Sequence, residues 1–125
     1  MITNLGSNFT YLLDSKTFEE KARVNTGSST ELAAFKNQTE LWVTNIGAQY
    51  VTLIDVDQNI ILNQIFVGQT PHGISFSSDK SLAFVPLYES GEVVIIDTAQ
   101  KKVIKKVKVG QQLHNSVVVQ RTVYD

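Results

Sequence analysis

The chain has 125 residues, of which 42% are hydrophobic and 18% charged, and it contains no cysteine. A formal charge of −1 gives no field that would attract nucleic acid, and without cysteine there are no disulfides and no thiolate chemistry. No apolar run approaches the roughly 18 residues of a membrane span, and the first residues lack the pattern of a signal peptide. We therefore expect a soluble domain with no membrane span and no nucleic-acid partner, cytoplasmic or, if Met1 is not the native start, exported to a compartment such as the periplasm.

An internal repeat organises the sequence. Sliding the chain by 41 positions, without a gap, superposes Asn4 on Asn45, Asp14 on Asp55, Gly27 on Gly68, Phe35 on Phe76 and Leu41 on Leu82. A slide of 42 then places Asp55 on Asp97, Gly68 on Gly110 and His72 on His114. We attribute the extra residue to a turn widened by Glu89-Ser90-Gly91. A period of about 41 residues is typical of propeller blades and of the longer helical repeats.

Residue types within each unit favour the propeller. In chain order, the middle unit has β-rich runs at 41–44, 50–54, 60–67 and 73–76, separated by Gly, Asn, Asp and Ser. Four short strands make a propeller blade, whereas a helical repeat needs two long amphipathic stretches. We predict an all-β fold of four-stranded antiparallel blades, with one propeller region over 1–125 and units at approximately 1–40, 41–81 and 82–125.

The segment 15–23 conflicts with this pattern, because its capping residues and helix formers are typical of a helix. In the repeat register it falls on 56–64 and becomes an outer strand. Since tertiary context overrides local propensity, we predict a strand with Phe18, Glu20, Ala22 and Val24 on one face.

The repeat unit resembles the YVTN family of β-propeller repeats. Leu41-Trp42-Val43-Thr44-Asn45 is similar to the Leu-Tyr-Val-Thr-Asn signature, and Val51-Thr52-Leu53-Ile54-Asp55 is similar to the Val-x-x-Ile-Asp strand of that family. Val67-Gly68-Gln69-Thr70-Pro71-His72-Gly73 resembles its Val-Gly-x-x-Pro-His-Gly turn. The last unit departs from the signature at 82–86 and 113–115. The resemblance implies that the innermost strand of a blade follows the Pro-His-Gly turn.

Recurrent aspartates and glycines have structural interpretations. Asp14, Asp55 and Asp97 end the third strand of each unit, where an Asx side chain bonds the backbone of the next turn. Gly27, Gly68 and Gly110 lie where the chain leaves an outer strand for the next blade, a bend that often needs positive φ. The lysine-rich run 101–109 is interpreted as an outermost strand protected by charge against edge pairing.

One group of residues carries potential chemistry at the start of the inner strands. Glu31, His72 and His114 occupy equivalent positions in three successive units, so we expect them to converge near one mouth of the central channel. Two imidazoles and a carboxylate suit a divalent metal or a haem-like ligand. The simpler alternative is that the histidines bond a neighbouring blade, in which case no cofactor is bound.

The number of predicted strands indicates how the chain assembles. The sequence supplies three outer sets and three inner strands, the last near 115–119, while a closed propeller needs at least four blades. We expect inner-strand residues to face alike in the pairs Ala33 and Phe35, Ile74 and Phe76, and Ser116 and Val118. The expectation is either a fragment that joins the remaining blades of a longer chain or a homo-oligomer, with a six-bladed homodimer completed by exchange of the terminal strand.

Three functional hypotheses follow. The preferred one is a non-catalytic binding or scaffolding propeller whose partner is another protein or a small molecule. The alternative is a metal- or cofactor-binding redox propeller that uses Glu31, His72 and His114 as ligands. A third, lactone hydrolysis, has only fold analogy behind it, and a fold does not determine a function.

Overall fold

The computed structural model describes residues 2–3 and 8–111, in which every regular element is a β-strand. The strands of the first sheet are β1 (Ile2–Thr3), β2 (Phe9–Leu13) and β3 (Glu20–Asn25). Those of the second are β4 (Thr30–Phe35), β5 (Glu40–Asn45), β6 (Tyr50–Asp55) and β7 (Ile60–Phe66). Those of the third are β8 (Ser75–Phe76), β9 (Leu82–Leu87), β10 (Glu92–Asp97) and β11 (Lys102–Lys108).

Within each sheet, sequential strands are neighbours and all pairs are antiparallel. The chain enters a sheet at one edge, leaves it at the other, and crosses to the first strand of the next sheet. This is the topology of successive blades, so the predicted all-β blade architecture is confirmed. The described residues include no helix long and apolar enough to cross a membrane.

The segment 15–23 forms neither a helix nor a continuous strand. Asp14 Oδ1 accepts hydrogen bonds from the backbone N–H groups of Lys16 (2.8 Å) and Thr17 (3.0 Å), which closes a turn after β2. Phe18 has a φ of 60° and an exposed side chain, so it is not on the predicted strand face. The prediction of a strand was therefore right only from Glu20 onward, because the residues before Glu20 belong to the turn that Asp14 closes.

The aspartate turns recur in the other sheets. Asp55 Oδ1 accepts from the N–H groups of Asp57 and Gln58, each at 2.9 Å, and Asp97 Oδ1 accepts from the N–H of Gln100 at 2.8 Å. At Asp14, the two backbone donors and then the ammonium of Lys21 at 3.0 Å hold the pKa of the carboxyl well below its usual range. Each aspartate therefore satisfies backbone donors that follow its strand.

The repeat register changes at a different place from the one that the sequence suggested. Leu41 pairs with Ile54 in the second sheet and Ala83 pairs with Ile96 in the third, so Leu41 corresponds to Ala83 rather than to Leu82. The additional residue lies in the β8–β9 hairpin, which has one more residue than the β4–β5 hairpin. The turn at 88–91 matches that at 46–49 in length, so attributing the extra residue to Glu89-Ser90-Gly91 was wrong.

The β8–β9 hairpin is closed by Asp79. Its Oδ1 accepts from the hydroxyl of Ser77 at 2.7 Å and from the N–H and hydroxyl of Ser81 at 3.0 and 2.7 Å. These hydrogen bonds, led by that of Ser77, lower the pKa of Asp79 to about 2. The longer hairpin is thus stabilised by an ionised carboxylate at its centre.

The main hydrophobic core lies between the second and third sheets. Its aromatic centre is Trp42 of β5 against Phe76 of β8, with ring centroids 5.4 Å apart in an edge-to-face arrangement. Phe76 is 8% exposed, whereas Phe35, its equivalent in the second sheet, is 42% exposed. A smaller cluster centred on Leu41, Val43, Ile54 and Val24 joins the first sheet to the second.

The two junctions between sheets differ in polarity at equivalent positions. Between the first and second sheets, Thr52 Oγ1 donates to the carbonyl of Thr26 (2.7 Å) and accepts from Asn45 Nδ2 (2.9 Å), and Thr10 bonds Thr26 through their hydroxyls (3.0 Å). All four side chains are buried. Between the second and third sheets the corresponding residues are apolar and buried: Val51, Val67, Leu87 and Val94. At these equivalent positions, the first junction is therefore hydrogen-bonded and the second is hydrophobic.

Two of the three recurrent glycines have the expected backbone. Gly27 and Gly68 adopt φ of 114° and 118°, which other residues rarely adopt. Among the described residues, the third positive-φ glycine is Gly91 and not Gly110, so the expectation at Gly110 was wrong. Gly110 still makes the same kind of bond, since its N–H donates to Gly91 O as that of Gly68 donates to Gln49 O.

Candidate functional site

Two of the three predicted channel-mouth residues lie in contact. Glu31 is the second residue of β4, and His72 precedes β8 in the next sheet. His72 Nε2 is 3.5 Å from Glu31 Oε1, and their side chains are only 18% and 16% exposed. His114, the third member, lies outside the described residues, as do Ser116 and Val118.

The backbone around this pair is fixed by neighbouring strands. The N–H of His72 donates to the carbonyl of Pro86 in β9 at 3.0 Å, and Pro71 forms an isolated bridge with Leu87. The hydroxyl of Thr44 in β5 lies within hydrogen-bonding distance of the carbonyls of Leu32 (3.1 Å) and His72 (3.4 Å). Thr44 thus connects the inner strand of one sheet to the turn that begins the next.

Tyr88 is a neighbour that the sequence did not point to. Its ring lies 5.9 Å from that of His72, centroid to centroid, with an angle of 32° between the planes. The N–H of Tyr88 donates to the carbonyl of Thr70, and the N–H of Glu89 donates to the Thr70 hydroxyl, at 3.0 and 3.2 Å. The only signal in the sequence was the aromatic residue directly after β9. The second sheet has Ile46 at the position equivalent to Tyr88, so the repeat did not draw attention to it.

The pair can act in two chemical ways. A protonated imidazole beside a carboxylate forms an ion pair that links two sheets. A neutral imidazole and a carboxylate are donors for a transition metal, but structural and catalytic zinc sites use at least three protein ligands. No group of three or more His, Cys, Asp or Glu residues able to hold a metal occurs among residues 2–3 and 8–111.

Clefts open beside the junctions of the described sheets, and the one with the largest volume, about 490 Å³, lies beside Phe35 and Lys80. A polar cleft of about 220 Å³ lies between the second and third sheets, lined in part by Gln49, Gln69, Thr70 and Glu89. A cleft of mixed polarity, with a volume of about 380 Å³, lies between the first and second sheets and is lined in part by Leu12, Phe35, Lys21 and Asp57. The polar cleft shares Thr70 with the turn that leads to His72, so it is the cleft near the candidate pair.

The lysine-rich segment forms the edge of the third sheet. β11 is the outermost strand and most of its side chains are exposed, while Lys101 lies in the preceding turn with a φ of 56°. Lysine side chains that face solvent along a sheet edge prevent the edge from pairing with the edges of other sheets. The segment has the placement expected of a protected outer strand.

Comparison with solved structures identifies the class of fold. Hydrazine synthase of Kuenenia stuttgartiensis superposes with a TM-score of 0.78 at 20% identity, over 83% of this chain and 30% of that one. The dihydro-heme d1 dehydrogenase NirN, in complex with DHE, superposes with a TM-score of 0.73 at 17% identity, over 92% of this chain and 27% of that one. Both are β-propeller proteins, so this chain has a β-propeller fold.

The chain spans less than a third of the length of each of these two structures. At these identities the likeness concerns the fold alone. No protein-family model matches the sequence, and the search of curated proteins gives no match.

Proposed function

We propose that this chain forms blades of a β-propeller that acts as a non-catalytic binding or scaffolding module. The observation that carries this proposal is the contact between Glu31 and His72 across two sheets. Both groups are mostly buried, and the backbone of His72 is bonded to β9. A histidine held in this way supports a role in joining blades rather than in turnover.

The binding surface in this proposal is the polar cleft next to that pair. Gln49, Gln69 and Thr70 offer amide and hydroxyl groups, and Glu89 offers one carboxylate. Such groups suit a polar partner, either a protein loop or a small molecule, bound by hydrogen bonds. Because the cleft lies between loops of two rigid sheets, its shape depends on the packing of the blades.

The test compares a substitution in the polar cleft with a substitution in the Glu31–His72 pair. Gln69→Ala in the cleft should weaken partner binding while leaving the melting temperature unchanged. His72→Asn should instead lower stability by about 1 kcal/mol, the contribution of one hydrogen bond, with little change in the partner's affinity for the folded protein. The proposal would be contradicted if the protein catalysed a reaction and the folded His72→Asn variant did not.

We also propose that the blades are YVTN-type repeats. The Leu41-Trp42-Val43-Thr44-Asn45 signature lies on β5 and the Val51–Asp55 run on β6. The Pro71-His72-Gly73 turn leads into β8, the edge strand opposite β11, and the family resemblance implies that this strand is the innermost of its blade. Sequencing of homologues would test this, because the signature should recur at β5 and β9 positions.

For assembly, we propose that further blades complete the propeller, supplied by a longer chain or by a second copy that makes a six-bladed homodimer. The first sheet has three described strands against four in the others, and in the repeat register residues 114–119 correspond to an inner strand. Light scattering should give about twice the mass of 13.9 kDa for a chain of this length. A dimer formed by exchange of the terminal strand should dissociate on deletion of 114–125, and a stable folded monomer would contradict the six-bladed homodimer.

A metal- or cofactor-binding redox propeller is the second candidate. It is favoured by the contact of Glu31 with His72, and by the two structural neighbours, one named a hydrazine synthase and the other a dihydro-heme d1 dehydrogenase. In this candidate His114 would be the third ligand. Elemental analysis and an absorption spectrum of the purified protein distinguish the two: stoichiometric copper or iron, or a haem band, lost in the His72→Asn, His114→Asn double variant, would favour the redox candidate.

A further inference from the structure

The outer strand of the second sheet has an unusual surface. Ile60, Ile61, Leu62 and Phe66 of β7 have exposed side chains, and β7 is the last strand of its sheet. We call the exposed edge of the sheet that carries these four side chains, on both faces of β7, the β7 edge. Tyr50 of β6 extends it, since its ring packs edge to face on Phe66 with centroids 5.8 Å apart. No residue from 60 to 66 is charged.

The repeat shows that this composition is particular to β7. In the first sheet, Glu20, Lys21 and Asn25 occupy the positions of Ile61, Leu62 and Phe66. In the third sheet the outer strand β11 carries four lysines among its seven residues. Natural sheet edges use charge to prevent pairing with other edges, and exposed apolar edges are typical of interfaces. Of the three outer strands that the structure describes, only β7 lacks this protection.

We propose that the β7 edge is an interface that binds the β7 edge of a second copy of this chain. Charge decides the occupant: the partner must be uncharged, because β7 offers no counter-ion to a charge buried against it. Docking β3 or β11 of another copy would bury charged Lys, Arg or Glu side chains against a strand that carries no charge. The β7 edge itself has the required chemistry, and a contact between two identical surfaces closes as a twofold dimer.

The backbone limits where the two strands can pair. Leu53 pairs with Asn63 and Ile54 with Ile61, so Leu62 is the extra residue of a bulge. Residues 63–66, beyond the bulge, form a regular stretch for antiparallel pairing about a twofold axis at Gln64, which places Gln64 of the two copies opposite each other. In that register Leu62 of one copy lies opposite Phe66 of the other at both ends of the stretch, within reach of large side chains.

The contact is expected to be weak. One short strand pair with four apolar side chains on each copy falls below the roughly 1,200 Å² of a stable interface, so association in the micromolar range or weaker follows. This dimer is independent of the proposed binding function. It also differs from terminal-strand exchange, because deletion of 114–125 should leave it in place.

The bulge offers a matched pair of variants. Leu62 in β7 and Ile104 in β11 are both bulge residues and both exposed, at 42% and 55%. Lys21 occupies the bulge position of β3, so the fold accommodates lysine there. Leu62→Lys should therefore fold with an unchanged melting temperature and self-associate at least tenfold more weakly in sedimentation velocity, whereas Ile104→Lys should associate like the parent. A parent that is monodisperse at all concentrations, or equal effects of the two variants, would overturn the proposal.

Cross-linking gives a second, independent measurement. Because the chain has no cysteine, Gln64→Cys places a single thiol near the proposed axis, and Lys106→Cys places one at the equivalent position of β11. A short bis-maleimide should link Gln64→Cys into dimers and leave Lys106→Cys largely monomeric. Dimers from Lys106→Cys alone, or equal yields from both, would show that the copies meet elsewhere.

Discussion

Truncation of Phe76 tests whether the core between the second and third sheets holds the blades together. Phe76 is 8% exposed, its ring meets Trp42 edge to face, and the ammonium of Lys80 lies 5.3 Å from its centroid. Phe76→Ala removes all of these contacts and leaves a cavity, so we expect a loss of about 3 to 5 kcal/mol in the free energy of unfolding. For a domain of this size that is roughly 12 to 20 °C in the melting temperature.

The repeat supplies the control for this experiment. Phe35→Ala removes the same side chain from the equivalent strand position, but Phe35 is 42% exposed and is not in the core cluster with Trp42. We expect a loss of only about 1 to 2 kcal/mol, in proportion to the smaller area buried. Urea unfolding followed by circular dichroism measures both variants. Equal losses in the two would refute the assignment of the core to the second junction.

Three further predictions concern local interactions. Thr52→Val leaves the buried partners of Thr52 without their hydrogen bonds, so it should lower the free energy of unfolding in urea by about 1 to 3 kcal/mol. Valine itself fits this strand position, since Val94 occupies it in the next sheet. An unchanged free energy of unfolding would disprove the hydrogen-bonded junction. The lowered pKa of Asp79 means that its stabilisation is complete above the ordinary pKa of about 3.8 and disappears as the pH falls through about 2. Asp79→Asn should thus melt below the parent at neutral pH, with a difference that vanishes between pH 4 and 2. Gly68→Ala should destabilise the protein by about 1 to 2 kcal/mol, because the φ of Gly68 is 118° and an added Cβ would lie 3.0 Å from the Leu87 side chain. Gly110→Ala should destabilise it less, because Gly110 does not have a positive φ.

The sequence by itself determined the blade architecture. Asp14, Asp55 and Asp97 recur with apolar strands in front of them, and this pattern depends only on local turn chemistry and on alternation along short strands. It also determined that Glu31 and His72 occupy equivalent positions. These features are local or periodic, which is why a repeat register was enough to find them.

Only the tertiary structure decided the rest. The repeat gave no sign that Phe35 would be exposed and Phe76 buried, because the difference comes from the partner, Trp42, that packs on one of them. Nor did it place the extra residue in the β8–β9 hairpin, since strand pairing and not sequence identity fixes that register. The contact of Glu31 with His72 likewise depends on how closely two sheets pack, and the physical reason is the same in each case: burial and distance are set between elements that are far apart in the chain.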